Sequence, residues 1–247
     1  MRLRPLPPRL RQRPGGSRGL GASLLCALAV LLAVSGCTGG AEESPAVLGD
    51  RLRAAKQALD RAASIDLTLR ADRLPAGVSG ISEASGVATH APAFRGRITI
   101  AGTGLLDGQR IAVVAVGGQV YAQTPFSSSF IPVDPADFNA PDPARLMDPG
   151  TGLSTLLTAA DGLTTGGEER AGEDVLTAVT GRVPGTAVSR VFPSAAVPRP
   201  FDATFWLDGG DRLRRAEVTG RFYGGAPPVT YDIAVQASDR RVQISAP

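Results

Sequence analysis

The chain has 247 residues, with 26 basic and 23 acidic side chains and a formal net charge of +3. Six arginines lie before residue 20 and no acidic residue precedes Glu42: Arg2, Arg4, Arg9, Arg11, Arg13 and Arg18. Without residues 1–36, the chain has 20 basic and 23 acidic residues, a net charge of −3. That charge removes the electrostatic basis for binding nucleic acid, so we predict no nucleic-acid partner.

The arginines are followed by an apolar run from Leu24 to Val34. A positive segment, an apolar segment and small residues at a cleavage site together indicate a secretory signal peptide. The run is shorter than the ~20 residues that a membrane-spanning helix needs. The residues Val34-Ser-Gly-Cys37 resemble the lipobox of bacterial lipoproteins, which implies diacylglycerol on Cys37 and cleavage before it. A plain secretory signal and an uncleaved anchor remain alternatives.

These features divide the chain into three parts. We predict a signal peptide over residues 1–36, an acylated Cys37 with a short tether over residues 37–44, and a single domain over residues 45–247. Cys26 leaves with the signal peptide and Cys37 carries lipid, so no disulfide is expected within one mature chain. A domain of this length can bury roughly 70% of its unfolded surface, so a core alone can stabilise it.

The first predicted element of the domain is a helix that begins after Ser44, with Pro45 in its first turn. Its apolar positions recur every three or four residues: Val47, Leu48, Leu52, Ala55, Leu59 and Ala62 or Ala63. Two shorter helices are predicted over residues 151–160 and 186–191.

Alternating apolar residues predict strands in most of the remaining domain. The predicted strands are 65–70, 97–106, 109–116, 119–124, 174–183, 203–208, 212–223, 229–237 and 241–245. Segments 74–85 and 162–172 read as a loop and a turn. Asp107-Gly108 predicts a tight hairpin between two of the strands. Because the connections are short and no βαβ alternation is evident, we predict an α+β fold with an antiparallel sheet.

Residues 125–151 are rich in proline, but Phe126, Phe130 and Phe138 interrupt them. Aromatic residues are atypical of a flexible linker. We therefore predict an ordered loop or a lid.

Catalytic chemistry is poorly supported by the sequence. The only histidine, His90, lies in a loop-prone segment, and the only lysine, Lys56, lies on the polar face of the first helix. Residues 37–247 contain no G-x-S-x-G motif. The acidic pairs Glu168-Glu169 and Glu173-Asp174 are more typical of solvated turns than of metal sites. We predict no enzyme activity, no cofactor and no metal.

The strands place apolar residues on shared faces. Ile98, Ile100, Gly102, Gly104 and Leu106 share one face, and Ile111 and Val113 share a face of the next strand. Val114 and Val116 make the opposite face apolar as well, so both faces should be covered, one of them by helices. Inward-facing glycines leave volume, which fits either a cavity or a close approach in a filled core. The cavity candidates are Ile98, Ile100, Gly102, Gly104, Leu106, Ile111, Val113, Val120, Phe205, Val218, Phe222, Tyr231 and Ile233.

Residues 142–157, DPARLMDPGTGLSTLL, resemble a segment of the mycobacterial LppX/LprA/LprF/LprG lipoprotein family. Val120-Tyr-Ala122 and residues 203–207, ATFWL, support the resemblance, and so does the order of the predicted elements. The resemblance implies a curved antiparallel sheet, a half-barrel similar to periplasmic lipoprotein carriers, wrapped around helices and enclosing a large apolar cavity. It implies ligands such as phosphatidylinositol mannoside, lipoarabinomannan or triacylglycerol, and an efflux pump as a partner.

The leading hypothesis is a lipoprotein anchored to the outer face of the plasma membrane, which binds acylated lipids or glycolipids and transfers them across the cell envelope. A non-carrier lipoprotein that acts as a scaffold or regulator of a membrane partner is the main alternative, and a hydrolase of envelope polymers is a third. Cavity volume separates the first two. A lipid needs several hundred Å³ of apolar space, whereas a packed core has few voids larger than water.

Overall fold

The computed structural model describes residues 43–102 and 104–247. The predicted signal peptide and Cys37 lie outside these residues. Within the described residues, the chain forms three α-helices and eleven strands. The helices are α1 (Pro45–Arg61), α2 (Ser154–Ala159) and α3 (Gly185–Val191). The strands are β1 (Ser64–Ala71), β2 (Gly80–Thr89), β3 (Ala93–Ala101), β4 (Arg110–Val116), β5 (Gln119–Gln123), β6 (Ile131–Val133), β7 (Asp161–Ala171), β8 (Asp174–Val183), β9 (Phe201–Leu207), β10 (Leu213–Gly220) and β11 (Val229–Ser238).

Helix α1 begins where the sequence predicts. Ser44 caps it, since its hydroxyl accepts a hydrogen bond from the Val47 N–H at 3.4 Å, and Pro45 occupies the first turn. The apolar face is buried through Leu48, Leu52, Ala55 and Leu59. The helix therefore packs one side against the core, as its periodicity predicts.

All eleven strands form one antiparallel sheet with the order β6-β5-β4-β3-β2-β1-β11-β10-β9-β8-β7. Consecutive strands pair within β1–β6 and within β7–β11, and β1 pairs with β11, which joins the two meanders. The sheet is open and curved, with β6 and β7 at its edges. The predicted α+β class with a curved antiparallel sheet is confirmed.

Three sequence-based assignments are wrong. Segment 74–85 is not a loop throughout, because β2 begins at Gly80, and segment 162–172 is not a turn, because it forms most of β7. In β2 the inward positions include Ala84, Gly86 and Ala88, which are too small to produce a clear alternation. Strand β7 lies at an edge and is mostly exposed, so its two faces do not differ in polarity.

The third error is the last predicted strand, 241–245, which forms no strand. Its apolar residues instead cover the outer face of the sheet, where Ile244 is buried in a cluster with Ala93 and Val114, and Val242 packs against the same cluster. The sequence predicts that both faces of β4 are covered, and they are. The outer face is covered by the C-terminal segment and Phe130 rather than by helices.

Candidate functional site

The concave face of β1–β5 and β11 encloses an apolar cavity of about 210 Å³. The far side of the cavity is formed by the proline-rich segment, with Leu153 and Phe192 beyond it. Nine of the predicted candidates line it: Ile98, Ile100, Leu106, Ile111, Val113, Val120, Phe222, Tyr231 and Ile233. Leu106 and Phe222 lie in connections, and the other seven converge because they lie on neighbouring strands of one sheet, for example Ile98 opposite Ile111.

Two glycines make room for the aromatic floor of the cavity. Gly86 and Gly96 are paired across β2 and β3. The Phe94 ring lies over both, since a Cβ at Gly86 would stand 2.6 Å from Phe94 Cζ and one at Gly96 would stand 2.5 Å from it. Phe94 is 1% exposed. Gly86 and Gly96 therefore make the space that the sequence predicts at Gly102 and Gly104.

Gly102 and Gly104 do not lie on the cavity wall. Strand β3 ends at Ala101, and both glycines belong to the connection that follows, with φ of +152° and +103°. A Cβ at Gly104 would meet nothing within 4 Å. The carboxylate of Asp107 accepts a hydrogen bond from the Gly102 N–H at 3.0 Å and so shapes a longer connection than the predicted two-residue hairpin.

Phe205 and Val218 also lie outside this cavity. Each is 1% exposed, and together with Leu156 and Leu157 they surround a gap of only about 30 Å³. Helices α1 and α2 contact each other, and α1 contacts β7 and β10. This half of the concave face, which we call the filled half, is a packed core. We call the half formed by β1–β5 the hollow half.

The proline-rich segment is an ordered cover over the hollow half. It contains β6 and two 3-10 helices, Pro135–Phe138 and Pro143–Met147. An Asp-Pro pair begins each 3-10 helix: Asp134 accepts a hydrogen bond from the Ala136 N–H at 2.9 Å, and Asp142 accepts one from the Ala144 N–H at 3.0 Å. We call residues 134–147 the lid.

The apolar side chains of the proline-rich segment do not all face the cavity. Phe138 and Leu146 line the cavity, and Val133 lies just before the lid on the same wall. Phe130 packs on the outer face of the sheet, and Phe126 is 70% exposed. The sequence singled out three phenylalanines, but only Phe138 faces the cavity, because local spacing in a loop does not fix direction.

One end of the cavity is polar. Tyr223 and Tyr231 lie there with their hydroxyl oxygens 2.6 Å apart, and Tyr231 donates a hydrogen bond to the Ile81 carbonyl at 3.0 Å. Burial raises the pKa of both phenols, so both are neutral at physiological pH. Gly80 makes room for this pair, since a Cβ there would collide with the Tyr223 hydroxyl. Tyr223 was not among the sequence candidates.

The side chains considered for catalysis have structural partners. Lys56 is not freely exposed: its ammonium group contacts the Asp60 carboxylate at 2.6 Å and donates to the Pro149 carbonyl at 2.8 Å. Ser154 donates to the same carboxylate at 2.7 Å, which ties α1 to α2. A ring nitrogen of His90 lies 3.2 Å from the Leu59 carbonyl oxygen. No group of three potential metal ligands occurs among residues 43–102 and 104–247.

The fold and the cavity together define a class of protein, an open antiparallel half-barrel that holds an apolar cavity against its concave face. The sequence pattern of the LppX_LprAFG lipoprotein family matches residues 45–244. The chain therefore belongs to this family, and the resemblance stated above is confirmed. Of the part of the chain that the structure describes, no helix is long and apolar enough to cross a membrane.

Individual relatives agree with this assignment. The lipoarabinomannan carrier protein LprG of Mycobacterium leprae is 25% identical over 248 residues, which cover 96% of this chain and 98% of that protein. The crystal structure of LprF from Mycobacterium bovis has a TM-score of 0.66 at 14% identity and covers 82% of this chain and 97% of that one. The crystal structure of LppX from Mycobacterium tuberculosis has a TM-score of 0.60 at 18% identity and covers 82% of this chain and 100% of that one.

Family membership also decides the question of activity. The family consists of lipoprotein carriers that bind rather than catalyse, so the prediction that the chain is not an enzyme is confirmed. Membership also makes the protein a lipoprotein of the cell envelope.

Proposed function

We propose that this protein carries acylated lipids or glycolipids, of the phosphatidylinositol mannoside, lipoarabinomannan or triacylglycerol type, through the cell envelope in the cavity of its hollow half. The observation that carries the proposal is an apolar cavity lined by residues from seven strands of the half-barrel. Exposing an acyl chain to water costs ~0.8 kcal/mol per CH₂, so a carrier must shield the chain during transfer. A carrier needs shape and apolarity rather than catalytic groups.

The cavity volume requires that the lid moves. About 210 Å³ exceeds the voids of a packed core but is below the roughly 300–1,000 Å³ of typical ligand pockets. The hollow half in this state holds a short apolar group, and a complete acyl lipid needs more room. The lid can supply it, because local hydrogen bonds stabilise its two 3-10 helices. Two further bonds join it to neighbouring segments: the Asn139 side-chain amide donates to the Ser79 carbonyl at 3.0 Å, and the Ser194 hydroxyl donates to the Asn139 carbonyl at 3.4 Å.

Two exposed apolar residues mark where a membrane can meet the cavity. Leu105 is 86% exposed and Phe126 is 70% exposed. Leu106, next to Leu105, and Thr124, two residues before Phe126, line the cavity. The β3–β4 and β5–β6 connections leave the same end of the sheet, about two strand spacings or ~10 Å apart. We propose that these two side chains insert into the bilayer surface while lipid enters.

A transfer assay tests this entrance. Replacing both residues, Leu105→Ser with Phe126→Ser, should slow lipid uptake from phosphatidylcholine vesicles severalfold while leaving the amount bound at equilibrium unchanged. Val175→Ser is the matched control, because Val175 is 42% exposed but lies at the opposite end of the sheet. Equal uptake rates for the double variant and the wild type would exclude this entrance.

The anchor is the second part of the proposal. Acylated Cys37 would hold the domain at the outer face of the plasma membrane, and the short tether over residues 37–44 would keep it close to the bilayer. The variant Cys37→Ala should remain uncleaved and should incorporate no radiolabelled palmitate. A labelled and cleaved variant would contradict the assignment. Delivery to an efflux pump also belongs to the proposal, and cross-linking of the acylated protein in membranes tests it.

Mass spectrometry of organic extracts tests the central claim. The mature protein, purified from membranes of a related bacterium, should carry acyl lipids, and the variant Val113→Trp should carry few, because the indole would occupy the cavity. Absence of acyl lipids from repeated preparations of the wild type would favour the alternative, a non-carrier lipoprotein that acts as a scaffold for a membrane partner.

A further inference from the structure

The hydrogen-bond direction within the tyrosine pair can be assigned without seeing the protons. A carbonyl oxygen only accepts, so the single hydroxyl proton of Tyr231 is committed to Ile81. The contact of 2.6 Å between the two phenols must then use the proton of Tyr223. Tyr223 donates to Tyr231, and its oxygen keeps only lone pairs to offer.

The side chain that carries this oxygen lines the cavity. Tyr223 lines the wall and is only partly buried, and within the described part of the chain no donor reaches its hydroxyl oxygen. Desolvation raises the pKa of Tyr223, so its proton stays in place at physiological pH. A donor that reaches a desolvated oxygen gains more than it would in water, whereas a second acceptor placed there would be repelled.

The pair also fixes an orientation for a ligand. Tyr231 lies near the start of β11, opposite Ala71 at the end of β1, and Gly80, which the Tyr223 hydroxyl abuts, begins β2. The opposite direction along the strands leads to the apolar floor at Phe94 and Val113. An acyl chain directed toward that floor places the polar end of its lipid beside Tyr223.

We infer that the cavity selects lipids that present a free hydroxyl group at the polar end, and that Tyr223 accepts the hydrogen bond from that hydroxyl. The inference rests on the proposed carrier function. The recognised chemistry is a hydroxyl donor, which a glycerol or a sugar headgroup can supply. Lipids whose polar end offers only ester, ether or phosphate oxygens lack the donor, so the inference narrows the proposed ligands to the hydroxylated ones and excludes triacylglycerol.

A matched pair of lipids isolates the hydroxyl. 1,2-Dioleoylglycerol and 1,2-dioleoyl-3-O-methylglycerol differ by one methyl group, which removes the donor. Mature wild-type protein in amphipol, incubated with phosphatidylcholine vesicles that contain equal amounts of both, should retain the hydroxyl form in an excess of about five- to tenfold. Tyr223→Phe should bring the ratio of the two bound lipids close to one.

Tyr231→Phe provides an independent measurement. It frees the Tyr223 proton, which can then donate to an ether oxygen, so the preference for the hydroxyl form should fall or reverse while the phenol at position 223 remains. Thermal unfolding of each variant shows whether the fold persists. Phosphatidylinositol in place of dioleoylglycerol tests whether a headgroup hydroxyl, rather than a glycerol hydroxyl, binds Tyr223. If a headgroup hydroxyl binds there, Tyr223→Phe should lower the amount of phosphatidylinositol that the protein retains.

Each result decides the inference. A wild-type ratio near one, or a Tyr223→Phe protein that keeps the wild-type ratio, overturns the hydroxyl selection and leaves the carrier function intact, because lipid is still bound. If neither lipid is retained by the folded wild type, the carrier function fails and the inference fails with it. A preference that disappears in Tyr223→Phe supports both.

Discussion

The two halves of the concave face carry similar apolar side chains, yet one is filled and the other is hollow. Around Phe205 and Val218, the remaining gap is about 30 Å³, whereas the region around Ile98 and Val113 encloses about 210 Å³. The strands themselves do not account for the difference, since both halves belong to one continuous sheet. What differs is the element that covers each half.

Helices cover the filled half and the lid covers the hollow one. Successive turns of α1 and α2 direct Leu48, Leu52, Leu156 and Leu157 into the core, and all four are at most 3% exposed. Rows of side chains on a helix interdigitate with the side chains of a sheet and leave few voids. The lid is rich in proline and is built from short turns, so it covers the sheet without filling the space below. The choice of cover therefore decides where a ligand can bind.

Truncation should separate the halves by the largest margin. Phe205→Ala should lower the free energy of unfolding by about 3–5 kcal/mol, because it leaves a cavity in a dense core. Core truncations of isoleucine typically lower the free energy of unfolding by about 2–5 kcal/mol. Ile98→Ala should lower it by about 1 kcal/mol less than that, because Ile98 already borders empty space. Chemical denaturation of both lipid-free variants measures the difference. Equal losses would mean that the hollow half is as tightly packed as the filled one.

Enlargement should also destabilise the filled half more than the hollow half. Val218→Trp should destabilise the protein by about 1–3 kcal/mol or more, because the filled half has no room for an indole. Val113→Trp should change the melting temperature little and should reduce bound lipid strongly. Thermal unfolding and lipid content are measured on the same samples. If Val113→Trp unfolds as easily as Val218→Trp, the β4 face is not the wall of a usable cavity.

Alkaline pH should affect the hollow half through its tyrosine pair, with the smallest effect. Burial raises the pKa of Tyr223 and Tyr231 in the folded protein, whereas unfolded tyrosine has a pKa of about 10. Their contribution to stability is therefore complete below about pH 10, and it falls as the pH rises further, because the unfolded state then loses protons that the folded state retains.

Denaturant titrations between about pH 9 and pH 11 measure this slope, and Tyr231→Phe should reduce it. The control is Tyr121→Phe, which removes the third tyrosine of the chain, one that does not line the cavity. An identical slope in Tyr231→Phe would contradict a role of the pair in the pH dependence.

The sequence by itself determined most of the regular elements and the family. The period of α1 and its cap at Ser44 are local, and so is the alternation in β4, β9 and β11, which is why these elements are confirmed with small shifts at their ends. Nine of the thirteen cavity candidates line the cavity, and seven of them lie in strands, where alternation fixes which residues share a face.

Only the tertiary structure decided which shared faces enclose space. Gly86 and Gly96 are ten residues apart in sequence, and only strand pairing places them side by side under Phe94. Tyr223 meets Tyr231 and Gly80 through connections whose direction no periodicity encodes. Phe205 and Val218 alternate as cleanly as Ile98 and Val113, but helices fill the space above them. A cavity depends on the volume left between elements that are distant in sequence, and a local pattern carries no information about that volume.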